Sequence, residues 1–426
     1  MKNLLFILLS SLAVISCDWR VFDDLKSEAT VQVINAPENF GDANFGQISS
    51  HLLDSSGNKY QNILIIGGSG DIPLFIINFS NGEISKHPVK LPGVDGLEVS
   101  NIIPLVPYNS EFLLGLSSLG KIYIVSIDKN PDAENEYTGT VEKSIDEMEN
   151  ISGFGRALDI YQNSNRTYSV IAASDNHIHY FETMDSAGVD VSLGDFNLTS
   201  TENNTFSSDF IKITEFDDIP HLIVGGTETD TNFWSIQIFS VYSSLLEVVP
   251  EERIILKGSE AYPGDEVSTI RLFDINNDDI PDIIAGCGDS IFVFQSENDS
   301  ISYSSVPDVE LYSTDRSLGK SIEIIDLDGD GTMELISTDP GIETNGSSGE
   351  VYIFKMPFTI SKISPAVTIG TPENEKLFGS SLAGVPSSEM PDREELIVGG
   401  LNTLYLFYIT GFEGDSSTDD DPRNIE

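Results

Sequence analysis

LGKSIEIIDLDGDGTMELIST (318–338) holds two short apolar runs on either side of an acidic loop, and the second run recurs along the chain. The runs are rich in β-branched residues, are too short for an ordinary helix, and are separated by glycines, so the stretch reads as strand, tight turn, strand. Runs of the ELIST kind, ending in a small residue, appear as ILIIGG (63–68), EFLLG (111–115), SVIAA (169–173), HLIVGG (221–226), DIIAG (282–286), ELIST (334–338) and ELIVGG (395–400). With Gly67, Gly115, Ala172, Gly225, Gly286, Thr338 and Gly399 taken as equivalent, the spacings are 48, 57, 53, 61, 52 and 61 residues. The chain is therefore a repeat protein.

Each of these runs is followed after a turn by another: PLFIINF, KIYIVSI, HIHYFE, SIQIFSV, SIFVFQ, EVYIFK and TLYLFYI. Several are preceded by a run that opens on an aromatic residue or leucine and then glycine: FGQISSHLL (45–53), FGRALDIY (154–161), LGKSIEII (318–325) and FGSSLAGV (378–385). No stretch carries a helical period. Three or four short strands per repeat, seven times over, predict an all-β fold, a seven-bladed β-propeller spanning residues 29–410. After TLYLFYI no fourth strand follows, whereas ATVQVINA (29–36) stands ahead of the first Phe-Gly run without a blade of its own. It is expected to pair with the seventh blade and close the ring, which removes an exposed edge.

The chemistry sits in two loops. DINNDDIPD places Asp274, Asn276, Asp278 and Asp282 at positions 1, 3, 5 and 9, with the Ile280 carbonyl at 7. DLDGDGTME places Asp326, Asp328, Asp330 and Glu334 at the same positions, with the Thr332 carbonyl at 7. Alternating oxygen donors on a tight loop converge on one hard cation, and Ca²⁺ accepts about six to eight oxygens in flexible geometry. The turn needs residues that tolerate positive φ, a demand met by Gly329 and Gly331 in one loop and by Asn277 and Asp279 in the other. An EF-hand would need a bidentate Glu at position 12, where this chain has Ala285 or Ser337. At least two Ca²⁺ sites are expected, the 326–334 loop binding more tightly because it carries more ligand charge. Asp54-Ser55-Ser56-Gly57-Asn58 is a remnant with too few carboxylates.

The Phe-Gly openings, the small-residue strand endings and the acidic loops together resemble the FG-GAP repeats of the integrin α-chain propeller and its bacterial relatives. The resemblance is strongest in the fifth and sixth repeats, good in the seventh, and reduced to strand rhythm in the first four. It implies recognition of another macromolecule, a protein or glycan, through loops on the face opposite the calcium hairpins. The turn 227–233 and the longer DPGIETNGSSG (339–349) would open there.

Composition narrows the setting. Acidic residues outnumber basic ones 69 to 22, a net charge of −47 over 426 residues, and such a field repels nucleic acids and anionic headgroups. The opening MKNLLFILLSSLAVISC has one early lysine and an apolar run too short to span a bilayer, which suits a signal peptide over residues 1–16. Val14-Ile15-Ser16-Cys17 resembles a bacterial lipobox, which makes Cys17 the expected lipidation site and the lipid the only membrane contact. Residues 17–28 then read as a tether and 411–426 as a disordered acidic tail. The expected place is the bacterial cell envelope, facing the periplasm or the exterior, and the expected state is a monomer.

Other motifs fail on inspection. Cys287 has no partner once Cys17 is lipidated and reads as a buried apolar residue. Gly319-Lys320-Ser321 lacks the first glycine of a P-loop. His177 and His179 share a strand face without a third ligand and read as a packed pair. No catalytic constellation stands out, so no enzyme is expected. The sequence points to a calcium-binding, lipid-anchored propeller for recognition or adhesion, with an envelope scaffold or a hydrolase or lyase using an unidentified carboxylate pair as alternatives.

Overall fold

A computed structural model describes residues 18–20, 30–36, 45–46, 49–53, 59–70, 72–80, 83–94, 96–105, 112–118, 120–129, 137–146, 153–162, 168–174, 177–183, 193–197, 206–216, 219–228, 231–242, 247–248, 254–260, 266–297, 300–313, 318–341, 349–358, 361–372, 375–387 and 393–408. Among the described residues the regular elements are all strands, so the fold is all-β. The signal peptide, Cys17, the Asp54–Asn58 remnant, residues 342–348 of the longest turn and the tail 411–426 lie outside them.

The strands form mainly antiparallel sheets in chain order, over 49–90, 101–146, 158–197, 206–257, 267–312, 321–370 and 382–408, and Lys362–Ile363 joins the 267–312 sheet by pairing parallel with Glu310 and Leu311. The first two are joined through a parallel pairing of Val89 with Tyr137 and Lys90 with Thr138, so they count as one larger sheet. Thr30–Asn35 pairs antiparallel with Thr403–Tyr408, from Thr30 opposite Tyr408 to Asn35 opposite Thr403. The N-terminal strand thus completes the last sheet. Within the stretch expected to be a tether, Asp18–Arg20 runs parallel to Val367–Gly370.

The cores lie between sheets rather than within them. Ile65 and Leu74 pack with Leu114 and Val125, and Ile122 with Phe154 and Phe181. The same holds for Ile171 with Val224, Ile223 with Ile283, Ile284 with Leu335, and Ile336 with Leu396. The series returns to its start, because Leu404 and Ile397 of the last sheet pack with Leu64 and Phe75 of the first. First strands follow the same circuit, each beside those of the sheets before and after it, and Ser49–Leu53 lies beside Leu382–Pro386. Ion pairs that join neighbouring sheets here include Lys212 to Asp159 at 3.3 Å and Arg271 to Glu323 at 3.5 Å.

The Phe-Gly opening explains how neighbouring sheets approach so closely. Phe45, Phe378 and Leu318 are fully buried, and Phe154 nearly so. The glycine that follows turns the chain at positive φ, +86° at Gly319 and +99° at Gly46, so its backbone faces the preceding sheet. There it meets a small residue: a Cβ on Gly286 would collide with the Gly319 carbonyl, and one on Gly399 with the Gly46 carbonyl. Ser381 Oγ, 2.8 Å from the Gly46 oxygen, donates to it and ties last sheet to first. The strands end small because the next sheet begins there.

Thr30–Asn35 contributes the buried Ile34 to the closing core while leaving Val33 48% exposed at the outer edge. Deleting residues 29–36 strips Thr403–Tyr408 of its partner and opens an apolar edge. The expected outcome is a melting temperature lowered by several degrees and concentration-dependent association in light scattering; a deletion variant as stable and monodisperse as the parent would refute this role.

Candidate metal centre

The two acidic loops occupy equivalent places, each joining the first strand of a sheet to its second. Residues 274–281 link Val267–Phe273 to Asp282–Cys287, and residues 326–333 link Ser321–Ile325 to Glu334–Asp339. Each is anchored by an apolar residue at position 2, Ile275 or the fully buried Leu327. Each is also pinned by the buried acid at position 9. Asp282 accepts the Ile275 N–H at 2.9 Å, and Glu334 accepts the Leu327 N–H at 2.9 Å.

The backbone winds around the position-1 carboxylate. Asp274 accepts the N–H groups of Asp278 and Asp279 at 3.1 and 2.9 Å, and Asp326 those of Gly329 and Gly331 at 2.7 and 3.0 Å. Positions 3 and 5 each accept an N–H two residues on: Asp278 to Asn276 and Ile280 to Asp278 in one loop, Asp330 to Asp328 and Thr332 to Asp330 in the other. Positive φ falls where the sequence required it, at Asn277 (59°), Asp279 (65°), Gly329 (77°) and Gly331 (84°). Ile280 and Thr332, the residues whose carbonyls are expected as position-7 donors, are held in the turn by their N–H groups on Asp278 and Asp330.

Charge distinguishes the loops. In 326–334 one carboxylate oxygen each from Asp326, Asp328 and Glu334 lie within 4.8 Å of one another. Burial, opposed by the Leu327 N–H and reinforced by the charges of Asp328, Asp326 and Asp330, pushes Glu334 up to about 7. Desolvation also raises Asp328, whereas the N–H and hydroxyl of Thr332 hold Asp330 below the ordinary carboxylate range. All donors in this group are hard carboxylate oxygens, and two of the three acids are buried, so the triad could hold a metal ion.

In 274–282 neutral donors already serve the acids. The Asn276 amide donates to Asp278 Oδ2 at 3.0 Å and the Ser296 hydroxyl to the same oxygen at 2.7 Å. Desolvation raises Asp278, but these bonds and the Ile280 N–H outweigh it and leave the carboxyl below its usual range. The second oxygen of Asp282 takes the Ser296 N–H at 2.9 Å, and burial still raises this acid. Tyr303, whose hydroxyl donates to the Pro281 carbonyl at 2.9 Å, is raised by burial and then by Asp282 and Asp278. Ser296 and Tyr303 carry no sequence signal for this role, since strand register alone brings them to the loop.

The discarded motifs are structural. His179 is fully buried, shares a 2.8 Å hydrogen bond with Ser174 Oγ and meets Phe154 edge-on, with His177 stacked at 6.1 Å. Cys287 is buried in the core between the sheets over 206–257 and 267–312, and burial pushes its thiol well up. Gly319 packs on Gly286, where an added Cβ would collide with the Gly286 backbone.

Glu334 sets the expected pH response of the metal-free protein. Its folded value of about 7 lies above the ordinary 4.5, so the native state keeps a proton that the unfolded chain releases between those pH values. Stability without metal therefore falls as pH rises from about 4.5 to about 7 and levels off above. Urea unfolding of chelator-treated protein across this range should show the decline, and Glu334→Gln should flatten it. An unchanged slope in the variant would place the titrating group elsewhere.

Among curated proteins none matches the chain in sequence. A family model does match the segment that spans both loops: residues 274–337 carry an FG-GAP-like repeat.

Proposed function

We propose that residues 29–410 form a seven-bladed β-propeller of FG-GAP type, that the loops 274–282 and 326–334 each bind Ca²⁺, and that the exported protein, lipidated at Cys17, uses the propeller for macromolecular recognition or adhesion at the cell envelope. One observation carries the reading: two loops on successive sheets share the same nine-residue donor spacing, and one of them brings three carboxylates within 4.8 Å of one another. The circuit of inter-sheet cores supports the ring, and the matched repeat supports its type.

Calcium suits these loops better than magnesium. The five donors of each, Asp274, Asn276, Asp278, Ile280 and Asp282, or Asp326, Asp328, Asp330, Thr332 and Glu334, leave room for water and for a bidentate carboxylate, and Ca²⁺ tolerates that irregular shell. Bound metal would turn the repulsion among the acids into attraction and stiffen the turn between two strands of a blade. A stiff ring holds its surface turns in place, and polar, glycine-rich turns such as 339–349 suit a protein or glycan ligand. The negative surface leaves the lipid as the means of membrane attachment.

Two experiments test this. Calorimetric titration of chelated protein should show two calcium phases and a raised melting temperature, because a ligand present at 100 times its Kd adds about 2.7 kcal/mol to stability. Asp330→Ala should remove the tighter phase and Asp278→Ala the weaker; no calcium heat in the wild type would sink the metal reading. Crosslinking on intact cells should capture a partner that is lost with chelator and lost with Cys17→Ala. Capture indifferent to both would separate recognition from metal and from anchor.

A further inference from the structure

We infer that Lys355 is a built-in competitor cation of the 326–334 loop, one that neutralises its acids when metal is absent and loosens the loop's hold when metal is present. This rests on the calcium reading and asks what sets affinity within it. Lys355 is the last residue of Glu350–Lys355 and pairs directly with Glu334, the position-9 acid at the start of the neighbouring strand. Its side chain is exposed. The pairing therefore places a lysine directly across from one of the carboxylates that would surround a divalent ion.

The sister loop makes the placement informative. Phe354 pairs with Leu335 in one sheet, and Phe294 pairs with Ile283 in the other, so the residue that follows, Gln295, holds the place that Lys355 holds. There the side chain is a neutral amide, and Asn276 and Ser296 stabilise the acids through dipoles. One loop meets its charge with fixed neutral donors, the other with a flexible cation. A divalent ion is repelled by the cation but not by the dipoles. Counting carboxylates alone therefore overstates the affinity of 326–334, and Lys355 makes its occupancy more readily reversible.

The test titrates calcium into chelated wild type, Lys355→Gln and Gln295→Lys at low and high salt. With one charge removed near a divalent ion, Lys355→Gln should tighten the phase abolished by Asp330→Ala roughly three- to tenfold, and Gln295→Lys should weaken the other phase by a similar factor. Both effects should shrink as salt rises. Without metal, Lys355→Gln should melt below wild type because its acids have lost a counter-ion. Two calcium phases in the wild type that Lys355→Gln leaves unchanged would overturn this inference alone. No calcium heat in any of the three proteins would overturn it together with the calcium reading.

Discussion

The close contact between a glycine at the start of one sheet and a small residue at the end of a strand in the sheet before it is the constraint on which the molecule depends. At Gly319 against Gly286 and at Gly46 against Gly399 the backbones approach so closely that a single methyl group would force them apart. The buried Phe or Leu ahead of the glycine then fills the wedge between sheets, each such burial adding about 2 to 3 kcal/mol. Because the cores lie between sheets, no sheet has a complete core of its own. Stability comes from finishing the circuit, which makes the return contact of Gly46 with Ser381 and the pairing of Thr30–Asn35 as important as any internal joint.

The acidic loops sit on this frame at the turn between first and second strands, where an apolar position-2 residue roots them in the inter-sheet core. Leu327 belongs to the core that packs the sheet over 321–370 on the sheet over 382–408, and the Asp326 carbonyl accepts the N–H of Glu394 from the latter at 2.8 Å. The candidate metal site is thus continuous with a joint between sheets. Electrostatics at the loop and packing at the joint share atoms, which is why removing charge from Glu334 and supplying a cation act on the same stability.

Much of this was legible in the sequence because it is local. Donor spacing from Asp326 to Glu334, the positive-φ demands at Asn277 and Gly331, and the alternation of short strands all lie within a dozen residues and follow from turn chemistry. What was not legible depends on register across strands. Ser296 reaches Asp278 and Asp282 because of where Ser290–Phe294 pairs, and Lys355 stands opposite Glu334 for the same reason. The parallel pairing of Val89 with Tyr137 and that of Asp18–Arg20 with Val367–Gly370 likewise have no local signature. Ligand charge alone suggested that 326–334 is the tighter of two otherwise similar sites; the neutral donors around 274–282 and the lysine across from Glu334 add differences that carboxylate counting does not show.

The central claim is that the 326–334 loop is a calcium site built into a closed ring. Crystals grown from chelated protein and then soaked in calcium would test it through anomalous difference density collected at long wavelength. The account predicts a peak about 2.3 to 2.6 Å from carboxylate oxygens of Asp326, Asp328 and Glu334 and from the Thr332 carbonyl. Calcium-soaked crystals with no peak in that loop, or with density only at scattered surface acids, would contradict it.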